Sequence, residues 1–194
     1  MSGMPQKKED AKFTYRDYLT WSNEERWELI DGAAYDMTPA PEREHQDISR
    51  ELFLQFGNYL MDKACKVYAA PFDVRLALNN ESQDDITNVV QPDITVVCDH
   101  SRLDKKGCLG PPDMVIEILS PSTASKDLYE KFELYESAGV REYWLVFPER
   151  KTVQVYKLNA GSRYGEAENY NASGAIKVGI FEDLTINLKK VFKA

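Results

Sequence analysis

Residues 112–121 read Pro-Asp-Met-Val-Ile-Glu-Ile-Leu-Ser-Pro, an apolar run with one acid, Glu117, set into it. Turn residues bound the run at both ends, so it predicts a strand over 114–119. A second stretch, Val-Val-Gln-Pro-Asp-Ile-Thr-Val-Val at 89–97, carries Asp93 in the same way. Both runs are almost continuously apolar, the pattern of central strands covered on both faces. Acids are depleted in strands and are seldom buried without a partner. The usual reasons for such an acid are a paired cation, a metal ion or catalysis.

A third charge lies just beyond. Ser120, Pro121, Ser122 and Thr123 supply turn and N-cap residues for a helix running to about 138, with Gly139 placed to close it in a left-handed cap. Leu128, Phe132 and Tyr135 mark the inward stripe of that helix, and Lys131 falls inside it. A lysine there must snorkel outward or meet an anion. The helix starts only a few residues after Glu117, so it can fold back and carry the amine to the carboxylates.

Working outward, strands are expected over 65–69, 72–78, 89–98, 142–147 and 152–158, with 79–88 as a polar loop. Asp31-Gly32 suits a type I′ turn and predicts a hairpin over 26–37 that carries Glu28. A short helix is expected over 14–21. Pro39 and Pro41 precede a long helix over 42–63, whose Ile48, Leu52, Phe56, Tyr59 and Leu60 keep helical spacing. His45 shares their inward face. Strands near 176–181 and 184–188 read as a peripheral C-terminal extension. The expected class is α/β: a mixed central β-sheet flanked by helices, with an N-terminal hairpin and a C-terminal β extension. One domain is expected over 1–194, its core at about 14–160 and residues 1–11 a tail.

Composition narrows the function. The 194 residues carry 24 basic and 32 acidic side chains, a net charge of −8, which argues against strong nonspecific grip on nucleic acid by a monomer. A basic cleft or a bound metal can reverse that locally. The longest apolar runs are too short for a membrane-spanning helix, and no secretory h-region opens the chain. Cys65, Cys98 and Cys108 are odd in number and form no Cys-x-x-Cys pair, so no disulfide framework is expected and a cytoplasmic setting is the reading. Two histidines, His45 and His100, are too few for a zinc site. No nucleotide-cradling glycine loop and no serine-nucleophile elbow occurs. Cys98 reads as a small buried hydrophobe, and the segment with Tyr164 and Tyr170 as an exposed β edge.

Two carboxylates a few ångströms apart repel unless a cation lies between them. Oxygen donors with few histidines favour Mg²⁺ or Mn²⁺, and the backbone carbonyl of Ile118 is a further candidate ligand beside Asp93 and Glu117. Such an ion polarises a phosphoryl oxygen and generates hydroxide near neutral pH. Lys131 could then stabilise transition-state charge or orient water, with His45 and Glu28 as assisting candidates.

Pro92-Asp93 followed by Glu117-Ile118-Leu119 resembles the PD-(D/E)XK nuclease superfamily. Trp27 to Gly32, His45-Gln46, Gln91-Pro92-Asp93, Glu117 to Thr123, Lys131 to Tyr135, Gly139, Tyr143-Trp144 and Val146, in this order, resemble more closely the Uma-type restriction endonuclease family. The resemblance covers about 14–160. It implies a restriction-endonuclease-like core, Mg²⁺-dependent hydrolysis of DNA, and a homodimer. The superfamily usually has lysine two residues after the acid, where this chain has Leu119; Lys131 would be that lysine, migrated to the helix.

Each charge also has a plain structural reading. Asp93 could cap a backbone amide, Lys131 could pair with Glu117 or snorkel, His45 could be a satisfied core histidine, and Glu28 could be a hairpin-face residue. Three functions follow: a metal-dependent endonuclease, a noncatalytic binding or assembly module on the same fold, and a hydrolase acting on another phosphodiester. Mn²⁺ binding separates the first from the second, and RNA or cyclic nucleotides separate the third.

Overall fold

The computed structural model describes residues 12–21, 26–37, 40–120 and 126–193. In chain order its elements are α1 (Tyr15–Tyr18), β1 (Trp27–Ile30), β2 (Ala33–Asp36), α2 (Arg43–Leu60), β3 (Lys66–Ala69), β4 (Val74–Arg75), β5 (Val89–Val90) and β6 (Ile94–Val97). Then come β7 (Leu103–Asp104), β8 (Gly107–Leu109), β9 (Met114–Ile118), α3 (Lys131–Ala138), β10 (Glu142–Phe147), β11 (Thr152–Lys157), β12 (Glu168–Asn171), β13 (Ala175–Lys177), β14 (Thr185–Asn187) and α4 (Leu188–Val191). The class is mixed α/β, as the sequence indicates. Among the described residues no helix is long and apolar enough to cross a membrane.

Two six-stranded sheets form the body, ordered β2-β1-β5-β4-β8-β7 and β12-β11-β10-β9-β6-β3. In the second sheet β9 is central, parallel to β10 and antiparallel to β6. Side chains alternate across it. One face presents Ile94, Val96, Ile116, Ile118, Trp144 and Val146 to Ile48, Leu52, Phe56 and Leu60 of α2. The other presents Val97, Val115, Tyr143 and Leu145 to Val74, Leu76, Val90 and Cys108 of the first sheet region and to Leu134 and Tyr135 of α3. Glu117 is flanked in sequence by Ile116 and Ile118, so it points to this second face, between the two sheets and α3.

The hairpin forms as read: Glu28 pairs with Tyr35, and both Asp31 and Gly32 adopt positive φ (48° and 75°), the backbone a type I′ turn needs. Gly139 likewise closes α3 at φ 87°.

Several expectations are corrected. The stretch 89–98 is not one strand: β5 belongs to the first sheet and β6 to the second, and Gln91-Pro92-Asp93 carries the chain between them. Proline lacks the ladder donor, which is why pairing breaks there. Of 72–78 only β4 is paired. The helix after Glu117 opens with a π turn over Lys126–Glu130 before α3 begins at Lys131; Pro121, Ser122 and Thr123 lie outside the described residues, as do Pro39 and the 1–11 tail.

The C-terminal segment is not peripheral, because Ile176, Ile186, Leu188 and Val191 are buried in the α2 core. Buried Glu142 ties it down, accepting hydrogen bonds from Trp144 Nε1 (2.7 Å) and the Ile180 amide (2.9 Å). Tyr164 is buried, donating from its hydroxyl to the Val140 carbonyl. Cys65 and Cys98 form a disulfide, which corrects both the expectation of none and the reading of Cys98. Lys66 pairs with Val97, so the antiparallel register brings the two cysteines opposite each other. Their separation of 33 residues leaves no local signal for that pairing. Cys108 remains a free thiol, its pKa pushed up to about 11 by burial.

Candidate active site

Two of the three principal charges, Glu117 and Lys131, converge with Glu28 and Asp127 on one buried network, and Asp93 adjoins it. Lys131 Nζ lies 2.8 Å from Glu117 Oε1, 2.8 Å from Glu28 Oε1 and 3.4 Å from Asp127 Oδ1. Tyr135, one helical turn further along α3, donates its hydroxyl to the same Glu117 oxygen at 2.8 Å. Lys126 Nζ donates to the other oxygen of Glu28 at 2.7 Å, and the Gln91 amide donates to Glu28 Oε1 at 2.9 Å. Glu28 and Lys131 are essentially sealed from solvent, at 0% and 1% exposure, while the Lys126 side chain is 11% exposed.

Asp93 stands at the start of β6 and joins the two faces of the second sheet. Its Oδ2 accepts from the Ile118 amide at 2.7 Å, and His45 Nε2 from α2 lies 3.1 Å from that same oxygen. The strand-end acid therefore caps a backbone amide of the strand bearing Glu117, which fixes the spacing of the two carboxylates. Burial lowers the His45 pKa, but the hydrogen bond and charge of Asp93, with the Ile118 backbone, hold it above the usual histidine value.

The environment drives the two glutamates apart in acidity. Burial opposes ionisation of Glu28, yet the ammoniums of Lys131 and Lys126 hold its carboxyl down to about 2. Burial pushes Glu117 up to about 8; Lys131 pulls it back, while Asp127, Asp93 and Glu28 repel its charge. Burial likewise opposes the charge on Lys131, and the surrounding Glu117, Glu28 and Asp127 keep it firmly protonated. Carboxylates with divergent proton affinities at one site are the raw material of acid and base roles.

The acids outnumber the cations. Glu117, Glu28 and Asp127 surround Lys131, Lys126 reaches Glu28, and Asp93 lies at the edge with His45. Among the described residues Glu117 Oε2 and Asp93 Oδ1 accept no hydrogen bond, because the bonds to these side chains end on the other oxygen of each. These two oxygens and the Ile118 carbonyl are hard donors of the kind Mg²⁺ and Mn²⁺ take. No three His, Cys, Asp or Glu among the described residues are grouped as a metal cage. Two carboxylates completed by water and substrate phosphate is the ordinary Mg²⁺ arrangement, so the residues present fit that ion.

The structure thus brings together all five side chains singled out from sequence, Asp93, Glu117, Lys131, His45 and Glu28. It corrects the standing of Glu28, which is a fully buried member of the network and not a hairpin-face residue. Lys126 and Asp127 escaped the sequence reading, and Tyr135 and Gln91 entered it only as a core-stripe residue and as part of a family-like segment. Asp127, Lys131 and Tyr135 repeat at intervals of four, a legible polar stripe on one helix face. Nothing local links Gln91 or Lys126 to Glu28.

The family model described as "Uma2: Putative restriction endonuclease" matches residues 15–189. A Synechocystis protein, described as uncharacterized, is 28% identical over 170 residues, spanning 86% of this chain and 85% of that protein. The fold is similar to the crystal structure of a "putative nuclease belonging to DUF820" from Anabaena variabilis, with a TM-score of 0.74 at 20% identity, over 93% of this chain and 98% of that one.

Proposed function

Because the chain belongs to the family described as "Uma2: Putative restriction endonuclease", we propose that it is a divalent-metal-dependent endonuclease hydrolysing DNA phosphodiester bonds. The observation that carries this reading is the convergence of Asp93, Glu117 and Lys131, on two strands and a helix, with a surplus of acids over cations. Asp93 and Glu117, with the Ile118 carbonyl, would hold Mg²⁺ or Mn²⁺. When bound, such an ion lowers the pKa of water and polarises a phosphoryl oxygen.

The chain's own groups do the positioning. Asp93 is locked to the Ile118 amide and faces His45, so its remaining oxygen has a set direction. Lys131 and Tyr135 both hold Glu117 by the same oxygen, Oε1. Glu28 restrains the ammonium of Lys131 from the opposite side. Glu28, Glu117, Asp127 and Lys131 are all buried, which keeps bulk water from the network.

A second reading, a noncatalytic binding or assembly module, is supported by the ion pairs themselves: Lys131 already sits against Glu117, as a purely structural pair would. Calorimetric titration of Mn²⁺ into wild type and Glu117→Ala, with a DNA cleavage assay on both, separates the two. The nuclease reading expects wild-type binding and cleavage that the variant loses. No Mn²⁺ binding and no cleavage by wild type would sink it in favour of the module.

A further inference from the structure

Lys131 is already ringed by carboxylates, one of them hydrogen-bonded to it. An ammonium carries three N–H donors, and Glu28, Glu117 and Asp127 lie around this one at 2.8, 2.8 and 3.4 Å. With 1% of its side chain exposed, it is also walled off from an incoming phosphodiester.

Lys126 differs on each count. It belongs to the same network, because one Glu28 oxygen accepts from Lys126 at 2.7 Å and the other lies 2.8 Å from Lys131. Among the described residues its other close contact is Met37 Sδ at 3.2 Å, and a thioether is a weak acceptor that a phosphate oxygen displaces. Its side chain is 11% exposed, with the centroid of the Tyr35 ring 5.4 Å from the amine. If Lys126 turns toward an anion, Glu28 keeps Lys131 and the Gln91 amide as partners.

We propose that Lys126 is the cation that contacts the phosphodiester, and that Lys131 is a positioning residue holding Glu28 and Glu117. This assignment rests on the nuclease reading above. Lys126 reaches a non-bridging oxygen of the phosphate and offsets the charge that grows there during attack. Lys131 keeps the carboxylates in register from within.

The test is oligonucleotide binding without metal, where chemistry does not contribute. A short fluorescein-labelled DNA duplex is titrated in EDTA over a series of salt concentrations with wild type, Lys126→Met and Lys126→Arg, and the fold of each is checked by thermal melting. One lost phosphate contact lowers the slope of log affinity against log salt by about 0.9. Lys126→Met should show that drop and a several-fold weaker affinity at low salt, at a temperature where melting shows the variant fully folded. Lys126→Arg should restore the wild-type slope. A Lys126→Met protein with wild-type slope and affinity overturns the assignment alone. Wild type that binds no DNA at any salt overturns the assignment and the nuclease reading together.

Discussion

The ammonium of Lys131 stands 2.8 Å from Oε1 of Glu28, an ion pair between α3 and the N-terminal hairpin with both side chains sealed from solvent. Each partner is held by further charges, so the pair is one link in a chain from Lys126 through Glu28 and Lys131 to Glu117. Removing a link has consequences that depend on what it leaves behind.

Lys131→Met leaves Glu117 and Asp127 buried without their cation. Breaking a buried pair by deleting one partner typically costs about 3–5 kcal/mol, most of it the burden of the stranded charge. Urea denaturation at pH 9, above the Glu117 value of about 8 so that this carboxyl is charged, should show a loss of that order. Adding Glu117→Gln to Lys131→Met should recover part of it, because one stranded charge is then gone. A double variant no more stable than Lys131→Met would mean the two side chains are not coupled.

The raised pKa of Glu117 makes stability fall with alkalinity. Its carboxyl moves from 4.5 to about 8 on folding, chiefly through burial. A group raised in this way contributes stability that is complete below about pH 4.5 and is lost as pH climbs through about 8. Wild type should therefore lose stability across that window, while Glu117→Gln, uncharged throughout, should follow a flatter course. Melting midpoints collected at successive pH values decide it, and parallel curves would refute the assignment.

His45 carries the same sign at a different pH. Its pKa is raised by Asp93, so the pair stabilises the fold below the unfolded histidine value near 6.5 and fades as pH rises above the folded one. His45→Gln should cost about 1.5–3 kcal/mol at pH 5.5, as expected for a hydrogen bond to a charged group, and less at pH 9. Chemical denaturation at the two pH values measures the difference. An equal cost at both would mean that His45 serves by packing and not by charge.

Glu142 offers a prediction away from the site. Its carboxylate links Trp144 of the second sheet to the Ile180 amide of the C-terminal segment. Glu142→Ala leaves a buried amide and an indole N–H unpaired, at about 1–3 kcal/mol each. Hydrogen exchange should accelerate most in 175–192, ahead of the β9–β10 core. Uniform acceleration across the chain would show that the clamp is not local.

Much of the site was legible because strands betray a misplaced charge. Glu117 and Asp93 stand out against apolar neighbours, and Lys131 stands out against Leu128, Phe132 and Tyr135. Glu28 did not, because Glu28-Leu29-Ile30 reads equally well as a half-exposed strand; only the docking of the hairpin against β5 and α3 buries it. Lys126 looks like any solvated helix-start lysine until Glu28 arrives from the far end of the chain. The split of 89–98 into two strands depended on whether Pro92 interrupts pairing or sits at an edge, and periodicity is blind to that choice. The C-terminal segment was misjudged because its short strands, β13 and β14, bury few residues each, and their value lies in the α2 surface they cover. The Cys65–Cys98 bond depends on strand register, which no spacing rule encodes.

The crossing of Gln91-Pro92-Asp93 from one sheet to the other has a further consequence. Glu28 rides on the first sheet, Glu117 on the second, and the short connector between the layers supplies both Gln91, which holds Glu28, and Asp93, which holds the Ile118 amide. The network is therefore an indicator of docking: it exists only while both layers are seated on each other. A chain still emerging from synthesis, or one whose hairpin has lifted, retains every residue of the site but not its geometry. On gentle warming, the ion-pair network should come apart before the bulk of the sheet structure does.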